Sequence, residues 1–137
     1  RSASTGNRFE PGKKPMSTMA PTMIFNKDGE LTLITGSPGG SLIPAAILRV
    51  VTGVIDFELD IGQATMLPRV HKDWPTTGIL HERTLNADSI RGIRNIGHKM
   101  TPEHTMGSTQ SIHIVDGVNY GYADLRRPNA SVSTQAN

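Results

Sequence analysis

From Leu42 to Leu59 the chain is apolar except at Arg49, Thr52, Asp56 and Glu58, and this segment is entered through Thr35-Gly36-Ser37-Pro38-Gly39-Gly40-Ser41. No other feature constrains the fold as much. Pro44 suits a first helical turn, where its missing N–H has no partner to lose, so the segment predicts a helix over about 42–57. Being apolar on nearly every side, it is expected between layers rather than on a surface. Gly53 inside it costs up to ~1 kcal/mol relative to Ala unless close packing requires it.

The segment before it, Leu31–Thr35, pairs naturally with Thr22–Asn26 across Lys27-Asp28-Gly29, where Asp-Gly signals a β-hairpin. Asp116-Gly117 predicts a second hairpin between Ser108–Val115 and Val118–Ala123. Asp60 suits the N-cap of a short helix ending before Pro68, and Asn86 that of a helix over Ala87–Ile96 with Ile90, Ile93 and Ile96 on one face. Gly97 stands where a left-handed C-terminal residue belongs. Arg69–Trp74 and Gly78–Arg83 read as extended, residues 1–15 as loop, and the tail from Pro128 as frayed. There is no internal repeat.

Composition narrows the function. The 137 residues hold no Cys, which excludes disulfides, thiolate zinc sites and a thiol nucleophile. Fourteen Lys and Arg against 12 Asp and Glu leave a net charge of +2, too little for a nucleic-acid surface. No apolar run approaches the ~18 residues that span a bilayer, and the first fifteen residues contain no apolar signal-peptide core. The chain begins at Arg1 rather than Met, which fits a processed chain, a cut piece of a longer one or an ordered remnant alike.

Four groups of residues are chemical candidates. The Gly39-Gly40 turn offers unpaired N–H groups at a helix start, where phosphate, carboxylate or an oxyanion binds, although an ordinary strand-to-helix turn looks the same. It matches neither GxxxxGK[ST] nor GxGxxG. Ser17 and Thr18, adjacent hydroxyls framed by Pro15 and Pro21, can bind a carboxylate or simply bond to local backbone. His71, His81, His98, His104 and His113 show no metal-site spacing, Asp60, Asp73 and Asp88 show no readable pairing, and the six Met read as core filler. Asn129-Ala130-Ser131 matches a glycosylation sequon, a pattern common by chance.

In order, PGKKPMSTMAPT, the first hairpin, TGSPGGS, the apolar helix, ATMLPRVHKDW, MGSTQSI and YADLRRP resemble the C-terminal part of the small subunit of γ-glutamyltranspeptidases, over roughly residues 7–127. The resemblance implies an α+β fold, part of the αββα sandwich of N-terminal-nucleophile hydrolases, incomplete without upstream residues and the large subunit. Residues 1–127 would belong to that domain and 128–137 form a polar tail. It places the oxyanion hole at Gly39 and Gly40 and the α-carboxylate site at Ser17 and Thr18, where Thr stands for the family's second Ser. In Ala123–Arg127, Leu125 replaces the Pro of the family's Asp-Pro-Arg segment, and beyond Arg127 the match fades, leaving the family's last strand open.

The nucleophile of the family, an N-terminal Thr some fifty residues before PGKKP, is absent from this chain by the same resemblance, and Thr5 does not match it. The implied partners are a glutathione-like γ-glutamyl donor, an amino-acid, peptide or water acceptor, and the other segments of the precursor. Self-association of the isolated chain is expected through its uncovered apolar helix. No cofactor or metal is implied, nor any nucleic acid or membrane span, and the family location is periplasmic or secreted. Two alternatives are a cephalosporin acylase-like amidohydrolase and a non-catalytic stand-alone remnant.

Overall fold

The computed structural model describes residues 9–14, 16–73 and 78–134; Thr5, Pro15, Trp74 and the last three residues of the tail lie outside these. Strand β1 (Thr22–Phe25) turns back into β2 (Leu31–Gly36). The turn closes on Asn26, whose Oδ1 accepts the Asp28 and Glu30 N–H groups, with Gly29 at φ +83°. The second hairpin joins β6 (Gln110–Val115) to β7 (Val118–Ala123) through Asp116 and Gly117, both at positive φ. Together the hairpins form one antiparallel sheet in the order β1-β2-β6-β7.

Helix α1 (Ile43–Ile55) follows a 3₁₀ turn over Gly40–Leu42, and α2 (Ile61–Met66) follows α1. Both lie on one face of this sheet. Leu33 of β2, Val50 of α1 and Ile61 of α2 form the core, with Ile24, Val51, Val54 and Tyr122 packed around them. Beneath α1, Thr35 Oγ1 and Ser111 Oγ share a hydrogen bond of 2.8 Å, so two buried hydroxyls on neighbouring strands satisfy each other. Asp60 caps α2 in a reciprocal box with Gln63, as its position before the helix predicts.

A second sheet, β3-β4-β5, consists of β3 (Val70–His71), β4 (Gly78–Glu82) and β5 (Lys99–Glu103). Strands β4 and β5 run parallel, joined by α3 (Ala87–Asn95), which Asn86 caps and Gly97 ends at φ +94°. Strand β5 was not expected from the sequence. Three of its five residues, Lys99, Pro102 and Glu103, disfavour a strand, and Pro102 is tolerated because β5 is an edge. The extended reading of Arg69–Trp74 shrinks among the described residues to the two-residue β3.

Two further expectations are corrected. Helix α1 buries one face only: Ile43, Ala46, Ile47, Val50 and Gly53 are inside, whereas Leu48 is 61% exposed and Ile55 51%. The described residues supply a single covering layer, so the helix is not sandwiched within them. Of the methionines, Met100 and Met106 are core, but Met16, Met19, Met23 and Met66 are exposed.

Gly53 marks the closest approach of α1 to α2. A Cβ there would lie 2.8 Å from Ala64 Cβ and 3.2 Å from Ala64 Cα. Gly53→Ala should therefore destabilise the chain by about 1–3 kcal/mol through overpacking, despite its better helix propensity. Urea unfolding of dilute protein checks this; a stabilised variant would show that the helices part without strain.

Candidate active site

The diglycine turn begins where β2 ends. Gly39 has φ +147° and Gly40 φ +59°, backbone conformations that a side chain would strain. The first hydrogen bond of the 3₁₀ turn runs from Leu42 N to Gly39 O at 3.2 Å, so the N–H groups of Gly39 and Gly40 precede the helical ladder and have no acceptor in it. Gly40 and Ser41 are exposed, Gly39 half-buried.

The hydroxyl pair lies against this turn. Thr18 Oγ1 donates to the Gly40 carbonyl at 2.6 Å, across 22 residues of sequence. Ser17 Oγ accepts the Met19 N–H at 3.2 Å, which leaves its own proton to offer. Both residues are exposed. The four residues singled out as oxyanion and carboxylate candidates thus occupy one place on the surface. The His residues do not join them. His81 is buried and bonds the Glu82 carbonyl at 3.0 Å, while His71 Nε2 lies 2.8 Å from Asp73 Oδ1.

Sequence reasoning missed a polar cluster that is the most extensive among the described residues. Arg69, Glu82 and Asp124 are buried at 1%, 2% and 0% exposure, and Arg126 closes the group. Arg69 donates to Asp124 Oδ2 at 2.7 Å, to Thr109 Oγ1 at 3.0 Å and to the Met106 carbonyl at 2.6 Å. Arg126 grips Glu82 with two bonds of 2.7 Å, reaches Asp124 Oδ1 at 3.2 Å, and caps the end of α2 through the Thr65 and Leu67 carbonyls. Backbone N–H groups fill the remaining carboxylate positions: Arg69 and Met106 donate to Glu82, Thr109 and Arg126 to Asp124. The only available signal was Arg69 among apolar neighbours and the Asp124–Arg126 spacing. Leu125, in the Pro position of the family pattern, is 67% exposed and outside the cluster.

The ionisation states follow from these contacts. Burial alone would raise the Glu82 carboxyl, but the Arg126 fork and the Met106 and Arg69 N–H groups outweigh it and hold the pKa below the ordinary range. Burial opposes Asp124 in the same way, and the Arg126 and Thr109 N–H groups with the Arg69 charge again prevail downward. Burial would lower Arg126, yet its two carboxylates raise it, whereas burial and the neighbouring Arg126 charge lower Arg69.

The antiparallel sheet with two helices on one face, and the glycine turn opening to solvent where β2 leads into the longer helix, form part of the N-terminal-nucleophile hydrolase fold that the chain shares with solved structures. The chain belongs to the γ-glutamyltranspeptidase family, whose model matches residues 2–134. It superimposes on a solved γ-glutamyltranspeptidase from Helicobacter pylori with a TM-score of 0.82 and 32% identity, covering 90% of this chain and 69% of that one. It is 40% identical over 121 residues to a glutathione hydrolase proenzyme of Escherichia coli (strain K12), covering 88% of this chain and 21% of that relative's length. A cephalosporin acylase from Bacillus halodurans shares the fold, at TM-score 0.74 and 23% identity over 81% of this chain and 21% of its own.

Because both carboxylates titrate lower when folded than when unfolded, they contribute stability that is full at neutral pH. It is lost as pH falls below about 4 and through the depressed folded values. The urea midpoint of dilute protein should drop steeply on that acid limb. Asp124→Asn should lower stability at pH 7 by about 3–5 kcal/mol, since it leaves Arg69 buried against a neutral partner, and should flatten the limb. An unchanged acid limb would show that Asp124 does not titrate with folding.

Proposed function

We propose that this chain is the C-terminal part of the small subunit of an enzyme that transfers or hydrolyses the γ-glutamyl group of glutathione-like donors. In this reading residues 1–127 belong to the catalytic domain and 128–137 form its tail. The observation that supports the proposal is the 2.6 Å contact between Thr18 and Gly40, which brings two hydroxyls suited to a carboxylate against a turn whose N–H groups precede the helical ladder. A γ-glutamyl donor presents an α-carboxylate at one end and the scissile carbonyl at the other, the two chemistries these residues suit.

The nucleophile would come from outside the chain, as the N-terminal Thr of the complete small subunit. Its hydroxyl attacks the γ-carbonyl while its own α-amine takes the proton and passes it to the leaving amine. The Gly39 and Gly40 N–H groups stabilise the resulting oxyanion; removal of one such donor typically slows turnover about 10²–10³-fold. An acyl-enzyme forms, and water or an acceptor amine resolves it. No cofactor enters these steps. Of the two hydroxyls, Ser17 has its proton free for the substrate carboxylate, whereas Thr18 has to release Gly40 first. A γ-glutamyl donor uses that carboxylate site, which favours this reading over a cephalosporin acylase-like one. A periplasmic or secreted location goes with it.

Two outcomes test the proposal. The isolated chain should show no γ-glutamyl turnover, and should self-associate through Leu48, Ile55 and Phe57, all more than half exposed; activity in a dispersed monomer, followed by sedimentation and donor assay, would refute both. In the complete enzyme Ser17→Ala should raise the donor KM about 10-fold or more with little change in kcat, the effect of losing a hydrogen bond to a charged group. Unchanged donor kinetics would remove Ser17 from the site.

A further inference from the structure

The diglycine turn is seated on a segment that neither the hydroxyl pair nor α1 supplies. A Cβ at Gly39 would come within 3.2 Å of Gly107 Cα, and one at Gly107 within 2.6 Å of Ser37 Oγ, 3.0 Å of Ala46 Cβ and 3.2 Å of the Pro38 carbonyl. Gly107 also has φ +70°, so no larger residue fits there unstrained. Ser37 Oγ accepts the Ser108 N–H at 3.0 Å and donates to the Pro38 carbonyl at 2.8 Å. One hydroxyl therefore ties the 107–108 backbone to the residues immediately before the turn.

That segment is itself immobilised by the buried ions. The Met106 N–H donates to Glu82 Oε1 at 2.9 Å and its carbonyl accepts from Arg69 at 2.6 Å. The Thr109 N–H donates to Asp124 Oδ2 at 2.9 Å. Both ends of the Met106–Thr109 stretch are fixed by charged groups, and its middle touches the turn. Glycines leave the turn without side chains to fix its backbone, yet oxyanion donors work only when aimed in advance. A misplacement of ~1 Å in a catalytic group can lower the rate about 10²-fold.

We propose that Ser37 and Gly107 are positioning residues: through them the ion-clamped 106–109 segment sets the direction of the Gly39 and Gly40 N–H groups. The proposal rests on the oxyanion role given to that turn under the proposed function. Neither residue is asked to touch the donor, so their loss should reach the transition state and spare ground-state binding.

The test uses the complete enzyme carrying this chain. Ser37→Ala should lower kcat about 10-fold while the donor KM stays within about twofold. Affinity for a γ-glutamyl analogue with a tetrahedral phosphonate at the γ position should fall by the same factor as kcat, while affinity for glutamate, whose γ-carboxylate is planar, holds. Gly107→Ala should show the same split more strongly; if it fails to fold, Ser37→Ala carries the test. Wild-type kcat in Ser37→Ala, or equal weakening of the phosphonate and glutamate, overturns the positioning role and leaves the proposed function standing. A wild-type enzyme that turns over no γ-glutamyl donor overturns both.

Discussion

A buried arginine, Arg69, and a half-buried one, Arg126, set against two buried carboxylates hold this chain together. Arg69 leads into β3, Glu82 ends β4, and Asp124 and Arg126 follow β7. The cluster is therefore the joint between the two sheets, and through the Arg126 bonds to Thr65 and Leu67 it also closes the end of α2. Removing four charges from water is expensive, and a buried ion pair is weak evidence for stability by itself. Here the charges balance, and backbone N–H groups occupy the carboxylate positions that the arginines leave. Such a network tolerates one arrangement and penalises others, which makes it a device for placing segments rather than for adding net stability.

Local features were legible in the sequence because their chemistry is local. Asp-Gly marked both hairpins, Asp60 and Asn86 marked helix starts, and Gly97 marked a helix end, each through a conformation or hydrogen bond within a few residues. The diglycine turn and its possible ligands were equally visible. The ion cluster was not, because Arg69 meets Asp124 across 55 residues and Arg126 meets Glu82 across 44. Nothing in the spacing of single charged residues distinguishes a buried pair from two solvated ones. Strand β5 escaped for another reason: it is defined by its parallel partner β4, and its own residues argue against a strand. The burial of α1 was overestimated because apolar sequence reports what a helix can bury, whereas cover depends on which other layers are present.

The family resemblance implies that Ser17 and Thr18 serve the same site as Gly39 and Gly40, but neither it nor the spacing gives the hydrogen bond between Thr18 and Gly40. That bond changes how the pair is understood. Two adjacent hydroxyls look equivalent in sequence, yet in the fold one has its proton committed to the backbone of the turn and the other does not. The segment that would hold one end of a donor is thereby bonded to the turn that would stabilise its reacting end. In the proposed function, donor binding and the oxyanion turn would be linked directly by this one hydrogen bond.

A glycine turn and a clamped polar network are complementary solutions to one problem. The N–H groups of a turn can face a ligand closely only where no Cβ intervenes, and this removes the steric walls that would otherwise fix the backbone. Rigidity then has to be imported. The apolar core cannot supply it, because dispersion contacts among Leu33, Val50 and Ile61 locate helix faces but carry no direction for an individual N–H. Hydrogen bonds do carry direction. In this fold they run from the buried carboxylates and Arg69 to the Met106 and Thr109 backbone, and from Ser108 to Ser37, ending one residue pair before the glycines. The buried ions and the diglycine turn are joined by one serine side chain and by the close approach of Gly107, so in the proposed role of that turn its orientation would follow from electrostatics in the interior.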